Sequence, residues 1–240
     1  MLRNLPRNMK NPFQYGGIVE GPAFCNRKKE LADLTAAIES SEKLFLYSER
    51  RLGETSLVHT ALRELPQGRY AAAYVDLWPT DGEASFVTAT ARAITESMSS
   101  TAGQLLDLAK QLFSRLTPSV TTDAEGKPKI TFGLNMSGQP GRELEEVLAA
   151  PAKIALRGKR KVVIVFDEVQ QILEYESDTV ERRLRSIVQK HQDVSYIFLG
   201  SRKHLIQKMF LDRSRPLYRA AGHYPLGPIE TKHWSHRLPL

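Results

Sequence analysis

Residues 44–56 match the spacing of a phosphate-binding loop, in which a strand leads into a glycine-rich turn and then into a helix. In the pattern G-x-x-x-x-G-K-[ST], the lysine contacts the β- and γ-phosphates and the hydroxyl residue binds magnesium. Here Ser48 replaces the first glycine, Gly53 is retained, and Glu54 replaces the lysine. Thr55 occupies the magnesium position. The segment therefore predicts a nucleotide site in which an anion has replaced the cation.

A second chemical motif ends the most apolar strand of the sequence. Residues 161–168 read Lys-Val-Val-Ile-Val-Phe-Asp-Glu. Two acidic residues therefore lie at the carboxyl end of a predicted buried strand. Asp167 is expected to bind magnesium, and Glu168 is expected to polarise a water molecule for attack on the γ-phosphate. The alternative is that two acids simply end a strand, but a strand this apolar favours the functional interpretation.

Two further polar segments are candidates for contact with phosphate. Ser201 lies at the tip of the apolar strand 194–201, where its hydroxyl is expected to read the γ-phosphate or orient the attacking water. Capping of the next helix by Ser201 is an equally good interpretation. Arg219 ends the segment Arg215-Pro-Leu-Tyr-Arg219, from which an arginine could approach a phosphate in its own chain or in a neighbouring subunit. A basic, solvated loop is the simpler interpretation of this segment.

Strands alternate with helices along the chain, which predicts a parallel sheet covered on both faces. The expected fold class is α/β, a three-layer α/β/α sandwich with a mainly parallel five-stranded sheet. Ligands of such sheets bind at the carboxyl ends of the strands, where the loop and both polar motifs fall. The predicted strands are 43–47, 70–77, 161–168, 194–201 and 224–229. The predicted helices are 24–41, 54–65, 83–116 with a break at 101–103, 142–157 with a kink or a start near Pro151, 179–191, and 202–210.

The 240 residues, of which 41% are hydrophobic, suffice for one α/β domain with a substantial core. The expected division is an N-terminal arm at 1–23, a domain at 24–230 and a short tail at 231–240. Residues 117–140 are rich in proline, glycine and threonine, and they predict an insertion or hairpin within the domain.

Composition limits the location and the partners of the chain. The single cysteine, Cys25, excludes an internal disulfide framework and is typical of a reducing cytoplasm. No run of about 18 apolar residues occurs, and no apolar segment follows the basic N-terminus, so neither a membrane span nor a secretory signal is predicted. The net charge of +7 permits an acidic partner such as DNA, although solubility alone explains a charge of this size.

Together these motifs resemble those of the AAA+ and STAND-type P-loop ATPases, specifically an archaeal and bacterial group that opens with an NPF…G…F…R…EL arm. The arm is matched by residues 11–13, Gly21, Phe24, Arg27 and 30–31. The other matches are Arg50, Arg51, Gly53, Thr55 and Ser56 in the loop, Asp167 with Glu168, the turn 200–202, and the segment 215–219. The loop departs from the family pattern at Ser48, Glu49 and Glu54. The resemblance covers about residues 11–230 and implies an AAA+-like P-loop fold.

The resemblance also implies ATP or ADP as the ligand and Mg²⁺ as its metal. Phe24 and Arg27 would lie against the adenine, and the metal ligands would be Thr55 and Asp167. The implied loop residues are Ser48, Glu49, Arg50, Arg51, Leu52, Gly53, Glu54, Thr55 and Ser56, and the implied catalytic residues are Asp167, Glu168, Ser201 and Arg219. Family members assemble into rings or filaments and continue into a helical lid or winged-helix region, whereas this sequence ends at Leu240 after a short basic tail.

Glu54 decides what such a site can do. Two unit charges about 4 Å apart interact by roughly 4 kcal/mol at an effective dielectric near 20, so a glutamate in place of lysine turns a large attraction into repulsion. Even a residual loss of about 3 kcal/mol weakens binding more than a hundredfold. The sequence therefore predicts weak ATP binding with slow or absent hydrolysis, in a domain that acts as a nucleotide-linked switch or assembly module.

The alternative is a non-catalytic pseudo-ATPase that serves as an interaction module for a protein or for DNA. A basic face on the helices near 182–190 and 202–208 is the sequence feature that suggests DNA. Its members are Arg182, Arg183, Arg185, Lys190, Arg202, Lys203 and Lys208. A solvated helical face is the simpler interpretation, and DNA is not the favoured partner.

Overall fold

The computed structural model describes residues 17–19, 24, 26–49, 52–66, 68–134 and 141–230. Several sequence predictions lie outside these residues. They are the arm up to residue 16 with its NPF motif, Gly21, Cys25, Arg50, Arg51, the end of the insertion at 135–140 and the tail at 231–240. The strands are β1 (Lys43–Ser48), β2 (Tyr70–Asp76), β3 (Leu116–Thr122), β4 (Pro128–Leu134), β5 (Lys161–Asp167), β6 (Val194–Gly200) and β7 (Gly222–Leu226). The α-helices are α1 (Lys28–Glu39), α2 (Glu54–Glu64), α3 (Glu83–Glu96), α4 (Ala102–Leu112), α5 (Arg142–Gly158), α6 (Thr179–Val188) and α7 (Lys203–Leu211), and a 3-10 helix spans Val169–Glu174.

Five strands form one sheet in the order β2-β5-β6-β1-β7, and every neighbouring pair is parallel. The predicted mainly parallel five-stranded α/β sheet is confirmed. The register places Asp76 opposite Asp167 and Tyr47 opposite Gly200. The carboxyl ends of β1, β2, β5 and β6 therefore meet along one edge of the sheet, as the sequence predicted.

The core consists of one apolar cluster on each face of the sheet. Alternate residues of each strand point to opposite faces, so Val165 and Ile197 join one cluster while Phe166 and Phe198 join the other. In the second cluster the rings of Phe45 and Phe210 stack 4.5 Å apart. Burial on both faces explains why β5 and β6 are continuously apolar and could be recognised from the sequence.

The predicted helix at 83–116 is two helices, and the predicted break lies between them. The prediction was wrong at its carboxyl end, because α4 ends at Leu112 and Leu116 begins β3. The backbone is already extended at Phe113, and Pro118 keeps the segment that follows out of a helix. Pro151, by contrast, lies buried inside the continuous helix α5.

Strands β3 and β4 pair antiparallel as a separate two-stranded sheet. This hairpin packs against α3 and α4, with Ile130 fully buried beside Leu105 and Ala109. It occupies most of the segment in which the sequence predicts an insertion or hairpin.

Candidate nucleotide site

The described ends of the segment between β1 and α2 are Ser48 with Glu49 and Leu52 with Gly53. Gly53 caps the amino end of α2 with φ +91°, a conformation that glycine adopts without strain, and its carbonyl accepts the Leu57 N–H at 2.9 Å. Ser48 is buried at the end of β1, and Glu49 is exposed. The amino end of α2 thus directs its free N–H groups towards the place where phosphates would bind.

Residues that precede α1 form hydrogen bonds with the end of this loop and with the start of α2. Arg27 is only 4% exposed, and its guanidinium donates to the Leu52 carbonyl at 2.9 Å and to the Glu30 carboxylate at 2.8 Å. These contacts help to fix the loop at Leu52, and the contact of Arg27 with the adenine stays a prediction. Phe24, predicted for the same pocket, is half-buried against the apolar cluster that includes α1 and α2. Ser56, also expected to bind the cofactor, accepts the Val19 N–H at 2.9 Å.

The side chain of Glu54 turns into the site instead of away from it. Its carboxylate accepts a hydrogen bond from the Ser48 hydroxyl, so the two residues that depart from the loop pattern contact each other. Burial raises the pKa of Glu54 above its ordinary value of 4.5, and the carboxylates of Asp167 and Glu168 raise it further, although the Ser48 hydrogen bond opposes this. Three carboxylates therefore face one another where a nucleotide triphosphate would place its own negative charge.

This arrangement predicts that Glu54→Gln stabilises the protein in a pH-dependent way. Because the pKa of Glu54 is higher in the folded than in the unfolded chain, ionisation of Glu54 costs stability as the pH rises above about 4.5. Removal of that charge should raise the thermal midpoint by a few degrees at pH 7, and the gain should disappear below about pH 4, where the unfolded carboxyl is also protonated. Thermal unfolding of both proteins between pH 4 and 8 measures this. A gain that is constant across the range would contradict it.

Tyr74 of β2 links the two predicted magnesium ligands. Its hydroxyl donates to the Asp167 carboxylate and also forms a hydrogen bond with the Thr55 side chain. Burial raises the pKa of Asp167, and the Tyr74 hydrogen bond partly offsets that rise. Thr55 and Asp167 thus lie on either side of a single hydroxyl group. Sequence analysis did not identify Tyr74, which sits in an apolar strand without any motif.

This pair of oxygen ligands fits a magnesium ion that is also held by phosphates. Within the described ranges, no group of three or more histidine, cysteine, aspartate or glutamate residues is arranged to hold a metal by itself. Magnesium commonly uses one or two protein oxygens together with substrate phosphates and water, so Thr55 and Asp167 match this kind of site.

Glu168 lies at the centre of a small polar network at the end of β5. Its carboxylate accepts hydrogen bonds from the Gln170 side-chain amide and, at 3.1 Å, from the Ser201 hydroxyl. Its backbone is left-handed, with φ +53°, and its N–H donates to the Asp167 carboxylate at 2.8 Å. Ser201 does not cap α7: Arg202 holds the capping position, and no side chain there bonds to the helix. The structure therefore brings Ser201 to Glu168, while its predicted contact with the γ-phosphate or the attacking water stays a prediction.

Gly200 makes room for this network. A β-carbon at position 200 would lie 2.0 Å from Ile206 Cδ1 and 2.1 Å from Gln170 Oε1, and both residues are buried. Gly200→Ala should therefore lower the free energy of unfolding by about 1–3 kcal/mol through overpacking. Chemical denaturation measures this, with Gly133→Ala as the control, because its nearest neighbours lie 3.9 Å away. Equal stability of the two variants would contradict the packing role of Gly200.

The predicted catalytic Arg219 lies away from this site. It is exposed, with its guanidinium 5.2 Å from the centre of the Tyr218 ring, and its N–H donates to the Phe210 carbonyl near the end of α7. The segment leads directly into β7, whose first residue pairs with Leu44 near the start of β1. Arg219 is therefore at the amino edge of the sheet, opposite the loop, and it does not approach the loop of its own chain.

Residues 24–235 match the family described as an ATPase domain predominantly from Archaea, and the chain belongs to this family. Among solved structures, it resembles the Walker-type ATPase PABY2304 of Pyrococcus abyssi, with a TM-score of 0.61 and 17% identity over 93% of this chain and 59% of that one. It also resembles Cdc6p from Pyrobaculum aerophilum, with a TM-score of 0.51 and 10% identity over 92% of this chain and 50% of that one. The chain thus spans about half to three-fifths of the length of these proteins. No curated protein sequence matches it significantly.

At these identities, the solved structures establish the fold alone. The expected resemblance to AAA+-like P-loop ATPases is confirmed, both by the family and by the architecture of the sheet. None of the helices in the described ranges combines the length and apolar character that crossing a bilayer requires.

Proposed function

We propose that this domain is a nucleotide-linked switch or assembly module that binds ATP weakly and hydrolyses it slowly or not at all. The observation that carries the proposal is the position of Glu54, which is half-buried at the start of α2 and faces Asp167 and Glu168. The Gly53 cap at the start of α2 and the positions of the predicted magnesium ligands support a nucleotide site. The carboxylate at position 54 opposes the phosphates that would enter it.

In this proposal each side chain has a separate task. Thr55 and Asp167 would hold magnesium, which when bound would neutralise part of the phosphate charge. The N–H groups at the start of α2 bind phosphate oxygens. Glu168 accepts a proton from the attacking water, and Ser201 holds the Glu168 carboxylate in place.

Glu54 weakens binding for two reasons. Its charge repels the β- and γ-phosphates by roughly 4 kcal/mol per charge at 4 Å and an effective dielectric near 20, before any relaxation. It also leaves Asp167 and Glu168 without the cation that the loop pattern normally supplies. A protein with this site is expected to bind nucleotide only at high concentration.

Calorimetric titration of the unmodified protein tests this proposal. We expect saturable binding of MgATP with a dissociation constant near or above about 1 mM, and a turnover rate below that of typical enzymes. Asp167→Asn should weaken magnesium-dependent binding further. A micromolar dissociation constant, or rapid hydrolysis, would contradict the inhibitory role of Glu54.

Assembly with other copies is the setting in which Arg219 could act. An exposed arginine at the amino edge of the sheet can contact the site of a neighbouring subunit, although it cannot reach its own. Arg215, in the same segment, instead forms an ion pair with Glu181, which is completely buried in α6. This division supports a structural role for Arg215 and is compatible with an intermolecular role for Arg219.

The alternative function in DNA binding gains little support from the structure. Three of the seven basic residues proposed for a DNA-binding face form ion pairs with acids, which reduces the charge available to phosphates. The pairs are Arg182 with Asp178 at 2.8 Å, Arg183 with Glu145, and Arg202 with Glu174 at 3.7 Å. A protein partner is the better candidate for the output of this domain.

A further inference from the structure

The turn that follows β2 presents an exposed tryptophan. Trp78 is 58% exposed, and the neighbouring Pro79 is also exposed. Tryptophan is large and apolar, so it is highly buried on average in folded proteins. It is also one of the residue types that most often dominate the binding energy of protein interfaces. Trp78 is therefore the part of this turn that a partner would contact.

Hydrogen bonds on both sides of Trp78 fix the turn. Leu77 is fully buried, and its N–H donates to the Asp167 carbonyl at 3.1 Å. The Thr80 N–H donates to the Leu77 carbonyl at 3.0 Å, which closes the turn, and the buried Thr80 hydroxyl bonds to that of Tyr175 at 2.6 Å. The backbone that carries Trp78 is thus ordered before any partner binds, which lowers the entropic cost of association.

Arg202 lies over part of the indole. The central carbon of its guanidinium is 5.9 Å from the centre of the Trp78 ring, within the range of a cation–π interaction. The guanidinium also pairs with the Glu174 carboxylate at 3.7 Å. Because an aromatic ring carries negative potential on both faces, the indole can accept a second cation on the part that Arg202 leaves exposed.

Unpaired carboxylates flank the exposed tryptophan. Residues 70–91 contain three acidic residues and no lysine or arginine. Two of the three, Asp76 and Asp81, lie within three residues of Trp78 and are exposed. In the part of the chain that the structure describes, neither forms an ion pair. The exposed Lys203 begins α7 beside the end of β6, so a cation from outside is most favourable on the β2 side of the indole.

We infer that this surface binds an arginine-bearing segment of a partner protein. The guanidinium of the partner stacks on the exposed part of the Trp78 indole and donates to the carboxylates beside it, Asp76 and Asp81. Arginine fits better than lysine, since its planar group stacks on aromatic rings and is more weakly hydrated. A nucleic acid fits poorly, because its phosphates would lie beside the same two carboxylates.

Nuclear magnetic resonance locates such binding directly, because the chain has only two tryptophans. The indole N–H signal of Trp78 is identified as the one missing from Trp78→Ala. It is followed during titration with acetyl-Gly-Leu-Arg-Leu-Gly-amide and with the matched peptide that carries neutral citrulline in place of arginine. We expect saturable movement of the Trp78 signal with a dissociation constant of about 1 mM or lower, and an affinity at least about tenfold lower for the citrulline peptide.

Matched variants separate the two parts of the surface. With fluorescein-labelled versions of the peptides, Trp78→Ala should reduce the affinity for the arginine peptide at least about tenfold. Leu156→Ala, which truncates a side chain that is 78% exposed on α5, should leave it unchanged. Asp76→Asn should weaken binding of the arginine peptide severalfold without affecting the citrulline peptide. Glu64→Gln makes the same charge change at the end of α2, near the opposite edge of the sheet, and should have little effect. All four positions are exposed, so none of these changes is expected to unfold the protein.

Equal affinity for the two peptides, or a Trp78 signal that does not move at about 5 mM peptide, would overturn the inference. A single-stranded oligonucleotide that moves the signal at lower concentration than the arginine peptide would also overturn it, since base stacking would then be the function of Trp78. A dimer of this protein that buries Trp78 and excludes the peptide would assign the surface to a second copy and likewise overturn it. No nucleotide is present in the peptide titrations, so their outcome is independent of the proposed ATP site.

Discussion

Replacing Glu54 with lysine is expected to lower the dissociation constant for MgATP by at least about a hundredfold. The substitution removes a carboxylate that faces Asp167 and Glu168 and restores a cation at the amino end of α2. The full reversal corresponds to as much as about 8 kcal/mol per phosphate charge at 4 Å and an effective dielectric near 20. A retained fraction of about 3 kcal/mol already gives the hundredfold gain. Isothermal titration at fixed ionic strength measures it.

The matched control is Glu64→Lys. Glu64 is the last residue of the same helix, it is exposed, and its replacement makes the same change in net charge. Its effect on affinity should be small, because exposed charges beyond about 10 Å are largely screened at 0.1 M salt. Glu54→Gln should fall between the wild type and Glu54→Lys, because it removes the repulsion without adding attraction. If Glu54→Lys and Glu64→Lys increase the affinity for MgATP equally, binding depends on the net charge of the protein and not on position 54.

In the Glu54→Lys background, Glu168→Gln is expected to reduce ATP turnover by about 10²- to 10⁴-fold. Glutamine keeps the size of the side chain and can still accept hydrogen bonds from Gln170 and Ser201, but it cannot take a proton from water. Nucleotide affinity should change little, since Glu168 is assigned to the chemical step. Steady-state turnover and a parallel binding titration separate the two effects.

Ser201→Ala provides the comparison for that experiment. It removes a hydrogen bond to the Glu168 carboxylate at 3.1 Å but leaves the base in place. Its effect on turnover should be much smaller than that of Glu168→Gln. If Glu168→Gln leaves the turnover rate unchanged, another group activates the water, and the assignment of Glu168 is wrong.

The fold was predictable because its strands carry strong local signals. β5 and β6 are apolar on both faces, and each ends in a polar motif that marks its carboxyl end. The element boundaries were predicted less well near the insertion. There β3 alternates between more buried and exposed residues and contains Pro118. The hairpin packs against α3 and α4, and no local pattern in the sequence reports that packing.

The candidate site was predictable in its motifs but not in its contacts. Tyr74 becomes part of the site only because β2 lies beside β5, with Tyr74 opposite Val165 and two residues before the level of Asp167. No local pattern reports that register. Arg27 was assigned to the base by resemblance, yet the Leu52 carbonyl lies within hydrogen-bonding distance of its buried guanidinium. Long-range packing decides such contacts.

The position of Arg219 also depends on long-range packing that the sequence does not report. Its segment fits a phosphate-binding role in sequence, but the return of the chain along α7 carries it to the opposite edge of the sheet. The sequence left three choices, which were its own site, that of a neighbour, and a solvated basic loop. The position of the segment argues against the first and leaves the other two.

The most direct test of the central claim is an experimental structure of the Ser48→Gly, Glu54→Lys double variant, determined with magnesium and a non-hydrolysable ATP analogue. We predict that the analogue's phosphates lie between residues 48–55 and 167–168, with magnesium bound by Thr55 and Asp167. A structure obtained at saturating analogue with that space unoccupied, or with the nucleotide bound elsewhere, would contradict a nucleotide site at this loop.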